Sequence, residues 1–147
     1  MKFANKNIEL QTKGELEFTD LTDEIKAFVG EAGIKNGLVN VQTMHTTATV
    51  ILNENEPLLL QDLKRHLENL SSKTLKYNHD NFEIRTVNMC NDECANGHSH
   101  CKAILLPPNI TLNLIDSKIQ IGQWQRILFL ELDRARPRKI QIQVMGE

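Results

Sequence analysis

The first half of the chain carries strand-like alternation and two helical stripes. Residues Ile8 to Phe18 alternate weakly around Gly14, which predicts a strand, a turn and a second strand. The next apolar positions recur at i, i+3, i+4 and i+7, as on one face of a helix, and are Ile25, Phe28, Val29 and Ala32. Thr19 or Asp20 can cap this helix, and Gly33 can end it in the left-handed conformation.

Two more strands and a second helix follow. The stretches Leu38 to Met44 and Thr46 to Leu52 are rich in β-branched residues, which predicts strands on either side of a histidine. Pro57 suits the first turn of a helix. The apolar stripe of that helix consists of Leu59, Leu63, Leu67 and Leu70. His66 lies beside the stripe, four residues after Asp62, and is interpreted as a packing residue or half of a local ion pair.

The second half consists mostly of strand-like segments. The pattern predicts a short strand over Phe82 to Val87 and a polar loop over Cys90 to Cys101. Five strand-like stretches follow: Ala103–Leu106, Ile110–Ile115, Lys118–Ile121, Trp124–Leu132 and Arg138–Met145. Asp116 and Ser117 predict a hairpin turn. Two helices followed mainly by strands predict one compact α+β domain over residues 1–147, with mixed or antiparallel sheets.

Composition and charge exclude several classes of protein. Hydrophobic residues make up 40% of the chain and charged residues 24%, which excludes wholesale disorder. Lys and Arg number 17 against 19 Asp and Glu, so the basic excess of a nucleic-acid-binding protein is missing. No apolar run reaches the roughly 20 residues of a membrane-spanning helix, and the first residues do not resemble a signal peptide. We therefore expect a cytoplasmic protein without nucleic-acid or membrane partners.

Three cysteines lie close together in the polar segment. In a reducing compartment, Cys90, Cys94 and Cys101 are thiols or metal ligands rather than disulfide partners. With His98 they could form a tetrahedral zinc site, because thiolate and imidazole are the ligands that zinc prefers. Their C-x₃-C-x₃-H-x₂-C spacing differs from the paired C-x₂-C of zinc ribbons, which favours free thiols in a loop.

A carboxylate and several cations meet near the C-terminus. On one strand Ile127, Phe129 and Glu131 share a face, so the carboxylate ends an apolar row. Four basic residues follow and are Arg134, Arg136, Arg138 and Lys139. Guanidinium groups beside carboxylates suit phosphate recognition, since the planar fork donates two hydrogen bonds to an oxyanion. The alternative is a solvated run of charges.

An unpaired buried charge is costly, so a buried Glu131 requires a cation. We predict that Glu131 and at least one of Arg136 and Arg138 border the same pocket as Asn96 and His100. The sequence contains no phosphate-binding glycine loop, no nucleophile elbow and no His-Glu-x-x-His motif.

Five motifs occur in an order that resembles one known family. They are His45–Ala48, Ile51–Glu54, Asn96–His100, Ile121–Gln125 and Glu131–Arg138, which read HTTA, ILNE, NGHSH, IGQWQ and ELDRARPR. Together they resemble the YjbQ-like family, whose members are described as secondary thiamine-phosphate synthases. The resemblance covers nearly the whole chain, and five ordered motifs are more specific than any one of them.

The resemblance implies a fold, an assembly and a reaction. Members of the family are α+β domains that form homotrimers, with the motif residues in pockets near the subunit interfaces. The implied reaction joins hydroxymethylpyrimidine diphosphate to hydroxyethylthiazole phosphate and releases thiamine phosphate and pyrophosphate. The apolar strand face formed by Ile140, Ile142 and Val144 adds to the expectation of a homotrimer.

The site residues are carried over by matching positions. The catalytic candidates are His45, His79, His100 and Glu131. The candidates for substrate binding are Thr46, Thr47, Asn53, Glu54, Asn96, Trp124, Gln125, Arg136 and Arg138. We further predict that the three histidines converge on one divalent metal ion, zinc or magnesium, because neutral imidazole is a common metal ligand. The chain departs from the family's Asp-Gly-Pro-Arg run, where it reads Asp133-Arg134-Ala135-Arg136.

Two other functions remain open at this point. A metal-dependent hydrolase of a small phosphorylated compound would use the same histidines to activate water, and would release phosphate without a thiazole partner. A non-catalytic trimeric binding protein would bind its small ligand tightly without turnover.

Overall fold

The computed structural model describes all 147 residues and contains eight strands and three helices. In chain order they are β1 (Lys2–Gln11), β2 (Phe18–Asp20), α1 (Thr22–Glu31), β3 (Gly37–Thr43), β4 (Ala48–Asn53), α2 (Pro57–Leu70), α3 (Gly97–Ala103), β5 (Asn109–Ile115), β6 (Lys118–Ile119), β7 (Arg126–Glu131) and β8 (Pro137–Gly146). A single 3₁₀ turn covers Asn78–Asp80. None of the helices combines the length and the apolar character needed to cross a membrane.

The strands form two antiparallel sheets. A five-stranded sheet has the order β1-β8-β3-β5-β6, and a three-stranded sheet has the order β2-β7-β4. Asp116 and Ser117 both adopt positive φ between β5 and β6, as the predicted hairpin turn requires. The architecture confirms a compact α+β domain with antiparallel sheets.

The main core lies between the two sheets and against α1. It contains Val41 and Ile142 from the larger sheet, Val50 and Phe129 from the smaller sheet, and Ile25 from α1, all fully buried. A smaller apolar cluster of Leu67, Leu130 and Leu132 covers the other face of the smaller sheet. The central strand β7 is therefore covered on both faces, which brings the polar residues at its end deep into the protein.

The apolar face of β8 belongs to this core. Ile140, Ile142 and Val144 are each 0% exposed and pack within the chain, because the strand runs between β1 and β3. This face therefore cannot contact a second subunit, and the reason we gave from it for a homotrimer is wrong.

Most first-half elements were predicted within a few residues. Gly33 has a φ of 64° just after α1, as expected for a left-handed helix end, and Pro57 is the first residue of α2. The first strand, however, begins at Lys2, six residues earlier than expected, because it pairs with β8 along its whole length. The second strand begins only at Phe18.

The second half contains the larger errors. Phe82–Val87 forms turns and no strand, and its apolar side chains Phe82, Ile84 and Val87 are exposed, so no partner strand supports it. Ala103–Leu106 is also not a strand, because Ala103 ends α3. The segment expected to be a loop over Cys90–Cys101 contains the first part of α3.

Long-range contacts explain the unexpected helix. The carboxylate of Asp80 accepts hydrogen bonds from the amides of Asn96 at 2.9 Å and Gly97 at 2.8 Å. Gly97 packs so closely on Tyr77 that an added Cβ would lie 2.5 Å from the Tyr77 Cβ. The contacts that hold the start of α3 come from about 20 residues earlier, so the local pattern does not contain them.

Candidate functional site

The buried part of the candidate site lies where β7 ends. Glu131 is 0% exposed, and its carboxylate accepts hydrogen bonds from both Nε and Nη2 of Arg138, the first at 2.6 Å. The same carboxylate accepts the Thr12 hydroxyl at 2.9 Å and the Asp133 amide at 2.9 Å. Both oxygens therefore have partners, which a buried carboxylate requires.

Arg138 is almost as deeply buried as Glu131. Its side chain is 2% exposed, and Nη2 also donates to the hydroxyl of Thr47 at 3.0 Å and to the carbonyl of Thr47 at 3.3 Å. Arg138 and Thr47 were predicted to bind substrate, yet their polar atoms contact each other and Glu131. This arrangement fixes the His-Thr-Thr loop against the start of β8.

A second acid–base pair lies nearer the surface. Arg136 donates from Nη1 to Asp133 at 2.9 Å, and the Arg136 side chain is 36% exposed whereas that of Asp133 is 3% exposed. Asn96 donates its amide to the same Asp133 oxygen at 3.3 Å. The Oδ1 atom of Asn96 is buried and has no hydrogen-bond partner. Of the two arginines predicted to bind substrate, Arg136 is therefore the one whose guanidinium can still contact a ligand.

His45 lies in the loop between β3 and β4. Its Nε2 accepts the amide of Lys139 at 2.8 Å, so a neutral ring carries its proton on Nδ1. Burial lowers the pKa of His45, and the nearby positive charges of Arg138 and Arg136 lower it further. His45 is therefore a neutral imidazole near pH 7, with an N–H group to donate.

His79 and His100 form an imidazole pair. Their ring centroids are 4.6 Å apart in an edge-to-face arrangement, with His79 in the 3₁₀ turn and His100 in α3. Burial lowers the pKa of His100, and the neighbouring His79 lowers it further. The Nε2 atom of His79 is buried without a hydrogen-bond partner. This nitrogen is therefore free to form a hydrogen bond or to bind a metal ion.

One cavity joins two of the predicted histidines, and we call it the histidine cavity. It has a volume of about 430 Å³ and is lined by His45, Thr46 and His100 together with apolar residues that include Ala48 and Ile104. Of the residues predicted to share a pocket with His100, Glu131, Asn96, Arg136 and Arg138 are not among its lining residues. His45 also borders a neighbouring cavity of about 460 Å³, whose lining includes Arg138.

The remaining predicted residues lie at the opposite end of the small sheet. Ala48 pairs with Glu131 at one end of β4 and β7, and Asn53 pairs with Arg126 at the other, about 17 Å away at ~3.4 Å per residue. Glu54 and Trp124 are exposed there, and the Gln125 side chain accepts the amide of Gly122. Within one chain, the predicted site residues therefore form two groups at opposite ends of the small sheet.

The expected convergence of three histidines on one ion is not seen within a single chain. No group of three or more His, Cys, Asp or Glu side chains is arranged to hold a metal ion. The paired histidines are His79 and His100, whereas His45 is engaged by Lys139. The alternative zinc site of the three cysteines and His98 is not seen either. His98 lies 3.0 Å from Glu15, and all three cysteines are free.

Sequence reasoning missed a buried charge network behind α3. Lys102 is 0% exposed, and its Nζ lies 3.0 Å from Glu68 and 3.3 Å from Glu15. His98 contacts the same Glu15, and Ser99 donates to the Leu132 carbonyl at 2.6 Å. A lysine in a polar loop gives no local sign of burial, so only the tertiary contacts identify this network.

Comparison with known proteins places the fold and the motifs in one class. A YbjQ-like protein of unknown function from Sulfolobus solfataricus has a TM-score of 0.88 at 27% identity, covering 99% of both chains. A protein of the yjbq/upf0047 family from Clostridium acetobutylicum has a TM-score of 0.82 at 29% identity, covering 95% of this chain and 99% of the other. The architecture is therefore that of a known class of antiparallel α+β proteins.

The sequence comparisons agree. The family described as UPF0047 protein YjbQ-like matches residues 6–147. A UPF0047 protein of Methanothermobacter thermautotrophicus is 31% identical over 147 residues, which is 100% of this chain and 95% of that protein. YugU, a UPF0047 protein of Bacillus subtilis, is 27% identical and covers 96% and 98% of the two chains. The chain belongs to the YjbQ/UPF0047 family.

Proposed function

We propose that the protein is a transferase that forms thiamine phosphate from hydroxymethylpyrimidine diphosphate and hydroxyethylthiazole phosphate. The observation that carries the proposal is the partly exposed Arg136, whose positive charge acts on the neutral His45. His45 in turn lines one cavity together with His100. A guanidinium and neutral imidazole donors suit a phosphorylated substrate, because the first neutralises an oxyanion and the others donate hydrogen bonds to it. Asp133 occupies only one nitrogen of the Arg136 guanidinium.

The proposed reaction is a displacement at carbon. The lone pair of the thiazole nitrogen forms a bond to the methylene carbon of the pyrimidine, and the carbon–oxygen bond to diphosphate breaks. The electron pair leaves on pyrophosphate, the thiazole becomes a thiazolium, and no atom changes its oxidation state. Catalysis therefore requires stabilisation of the charge on the leaving diphosphate.

Individual residues take different parts in this proposal. Arg136 binds the diphosphate through the donors that Asp133 leaves free, and the Nδ1–H of His45 donates to the same group. Asn96 offers an unpartnered carbonyl oxygen to a hydrogen-bond donor of the substrate. Glu131 and Arg138 act as positioning residues, because their polar atoms are used within the protein.

A divalent metal ion, Zn²⁺ or Mg²⁺, is part of the proposal. His79 and His100 would hold it, since both rings lie together and the Nε2 atom of His79 has no partner. Such an ion supplies positive charge for a diphosphate. The two histidines would leave the remaining ligand positions to substrate and water.

We also propose that the protein is a homotrimer. Three apolar side chains on or beside the histidine cavity are exposed, namely Met44 at 54%, Ile104 at 84% and Leu105 at 59%. A grouped set of exposed apolar side chains is typical of a surface that another protein covers.

The decisive experiment incubates the purified protein with both substrates, with and without added Zn²⁺ or Mg²⁺, and measures thiamine phosphate and pyrophosphate by mass spectrometry. We expect Arg136→Lys to weaken the use of the diphosphate by about 1–3 kcal/mol, because the charge remains but the bidentate fork is lost. Arg134→Lys is the matched control, since Arg134 pairs only with the exposed Asp92 region.

Other outcomes distinguish the alternative functions. Metal-dependent release of phosphate from the diphosphate alone would indicate a hydrolase. Tight binding of the diphosphate without any product would indicate a binding protein. Absence of both product and binding would reject the transferase proposal.

A further inference from the structure

A second cavity lies on the outer face of the three-stranded sheet and shares only Leu106 with the lining of the histidine cavity. It has a volume of about 320 Å³, and we call it the apolar cavity. Its walls come from β2, β4, β7, α2 and the Leu106–Pro107 turn, and one side is open to solvent. It is lined by Phe18, Ile51, Leu52, Asn53, Leu63, His66, Leu67, Leu106, Pro107 and Leu130.

The walls of the apolar cavity are fixed without any ligand. The side chain of Glu56 accepts the amides of Leu58 at 2.9 Å and Leu59 at 2.7 Å, which fixes the start of α2. Leu67 anchors the far end of the helix in the small apolar cluster. The hydroxyl of Thr49 donates to the Pro107 carbonyl at 2.5 Å and fixes the turn. The helix therefore spans the sheet between two anchored ends, and the space beneath it is preformed.

The chemistry of the lining defines the occupant. None of the lining residues is Lys, Arg, Asp or Glu, and the polar side chains are Asn53 and His66. The Oδ1 atom of Asn53 already accepts the amide of Glu54 at 2.9 Å, which leaves its NH₂ group to donate. A charged ligand would lose its hydration here without gaining a counter-ion, which is costly.

The size of the cavity is also informative. A dry cavity of about 150 Å³ holds a benzene molecule, and small-molecule sites occupy ~300–1,000 Å³. The apolar cavity therefore has room for one substituted ring or a small fused ring. We propose that it binds a small uncharged ligand, an apolar ring with one polar group that faces Asn53 and His66. This ligand differs in charge from the substrates of the proposed thiamine-phosphate chemistry, which are phosphorylated.

The test titrates the full-length protein with 4-methylphenol, an uncharged ring with one hydroxyl, and follows the methyl NMR signals of Ile51, Leu63, Leu67 and Leu130. We expect saturable shifts of these signals. Benzoate, which has a similar ring but a negative charge, should bind at least about tenfold more weakly. Leu63→Trp should weaken binding of 4-methylphenol at least about tenfold by filling the cavity.

Leu58→Trp is the matched control, because Leu58 lies on the same helix, is 67% exposed and does not line the cavity. It should retain the affinity within about twofold. If Leu63→Trp does not fold, Ile51→Phe fills the same space from the sheet and replaces it. Absence of saturable shifts, or equal binding by the filled variants, would overturn the proposal.

Discussion

At the scale of single residues, Arg136 and Arg138 have different environments although they are only two positions apart. Arg138 is buried in an ion pair with Glu131, whereas Arg136 pairs with Asp133 and keeps part of its guanidinium group exposed. Arg138 belongs to the inward face of β8, whereas Arg136 precedes the strand, which begins at Pro137, so the strand alternation does not determine its environment. In this segment, the charge of Arg138 therefore stabilises the His-Thr-Thr loop, whereas the charge of Arg136 belongs to the exposed part of the candidate site.

The first prediction concerns the buried pair. Glu131→Gln should lower the free energy of unfolding by about 3–5 kcal/mol, because it leaves the guanidinium of Arg138 buried without its counter-charge. Urea denaturation followed by circular dichroism measures the change. Glu9→Gln is the control, since Glu9 forms an exposed ion pair with Lys139 and should change stability by less than ~1 kcal/mol. An equal effect of the two substitutions would contradict the prediction.

The second prediction concerns pH. The folded protein lowers the pKa of His45 and of His100, chiefly by burial, so below the ordinary imidazole pKa of about 6.5 the unfolded chain binds more protons. Stability contributed by these neutral rings is present above that pH and is lost as the pH falls through it. We expect the free energy of unfolding to decrease from about pH 7.5 to 5.5.

Variants assign this pH dependence to the two rings. Substitution of both His45→Gln and His100→Gln should flatten the decrease, whereas His66→Gln, at an exposed position of α2, should leave its slope unchanged. NMR titration of the imidazole signals provides an independent measurement. An unchanged slope in the double variant would show that other groups cause the dependence.

At the scale of elements, α3 is a short helix that depends on its surroundings. Seven residues are too few for an independently stable helix, so its side chains must provide the stability. Lys102 reaches Glu15 and Glu68 on one side, while His100, two positions earlier and about 200° around the helix, meets His79 on the other. The network behind α3 therefore determines where His100 lies.

The third prediction tests this role of the helix. Lys102→Met should lower the free energy of unfolding by about 1–3 kcal/mol, because two charge-assisted hydrogen bonds are lost while the carboxylates can still meet water. It should also shift the NMR signals of the His100 ring. Lys64→Met, at an exposed position of α2, is the control and should change neither quantity. A loss of stability without a shift of the His100 signals would show that the network does not position His100.

At the scale of the whole molecule, the surface around the histidine cavity carries several exposed apolar side chains. Ile104 and Leu105 follow α3 directly, and Met44 precedes His45. The exposed apolar side chains therefore adjoin both histidines of the cavity. Contact with another subunit at this surface would remove them from water and narrow the cavity.

The fourth prediction concerns assembly. Light scattering at micromolar concentration should give a mass three times the 16.8 kDa of one chain. Ile104→Glu should weaken the trimer, because it places a charge in the proposed interface. Ile84→Glu, at another exposed apolar position in the turn segment before α3, is the control. A monomer for the unmodified protein would exclude the assembly.

The elements that the sequence predicted well are those whose side chains repeat with the period of their own structure. The alternation of Ile140, Ile142 and Val144 identified β8, and the stripe of Ile25 and Val29 identified α1. The same pattern was misleading at Phe82–Val87, which has strand-forming residues but no strand to pair with. A local pattern states which face is apolar and leaves open whether another element covers it.

The sequence by itself determined the family motifs, the main periodic elements, and the presence of a carboxylate at the end of β7 followed by arginines. Only the tertiary structure decided that Arg138 pairs with Glu131, that His100 faces His79, and that α3 exists at all. The physical reason is the range of the interactions. Backbone geometry and side-chain periodicity act over a few neighbouring residues, whereas the partners of buried charges and of short helices come from distant segments that meet only when the chain has folded.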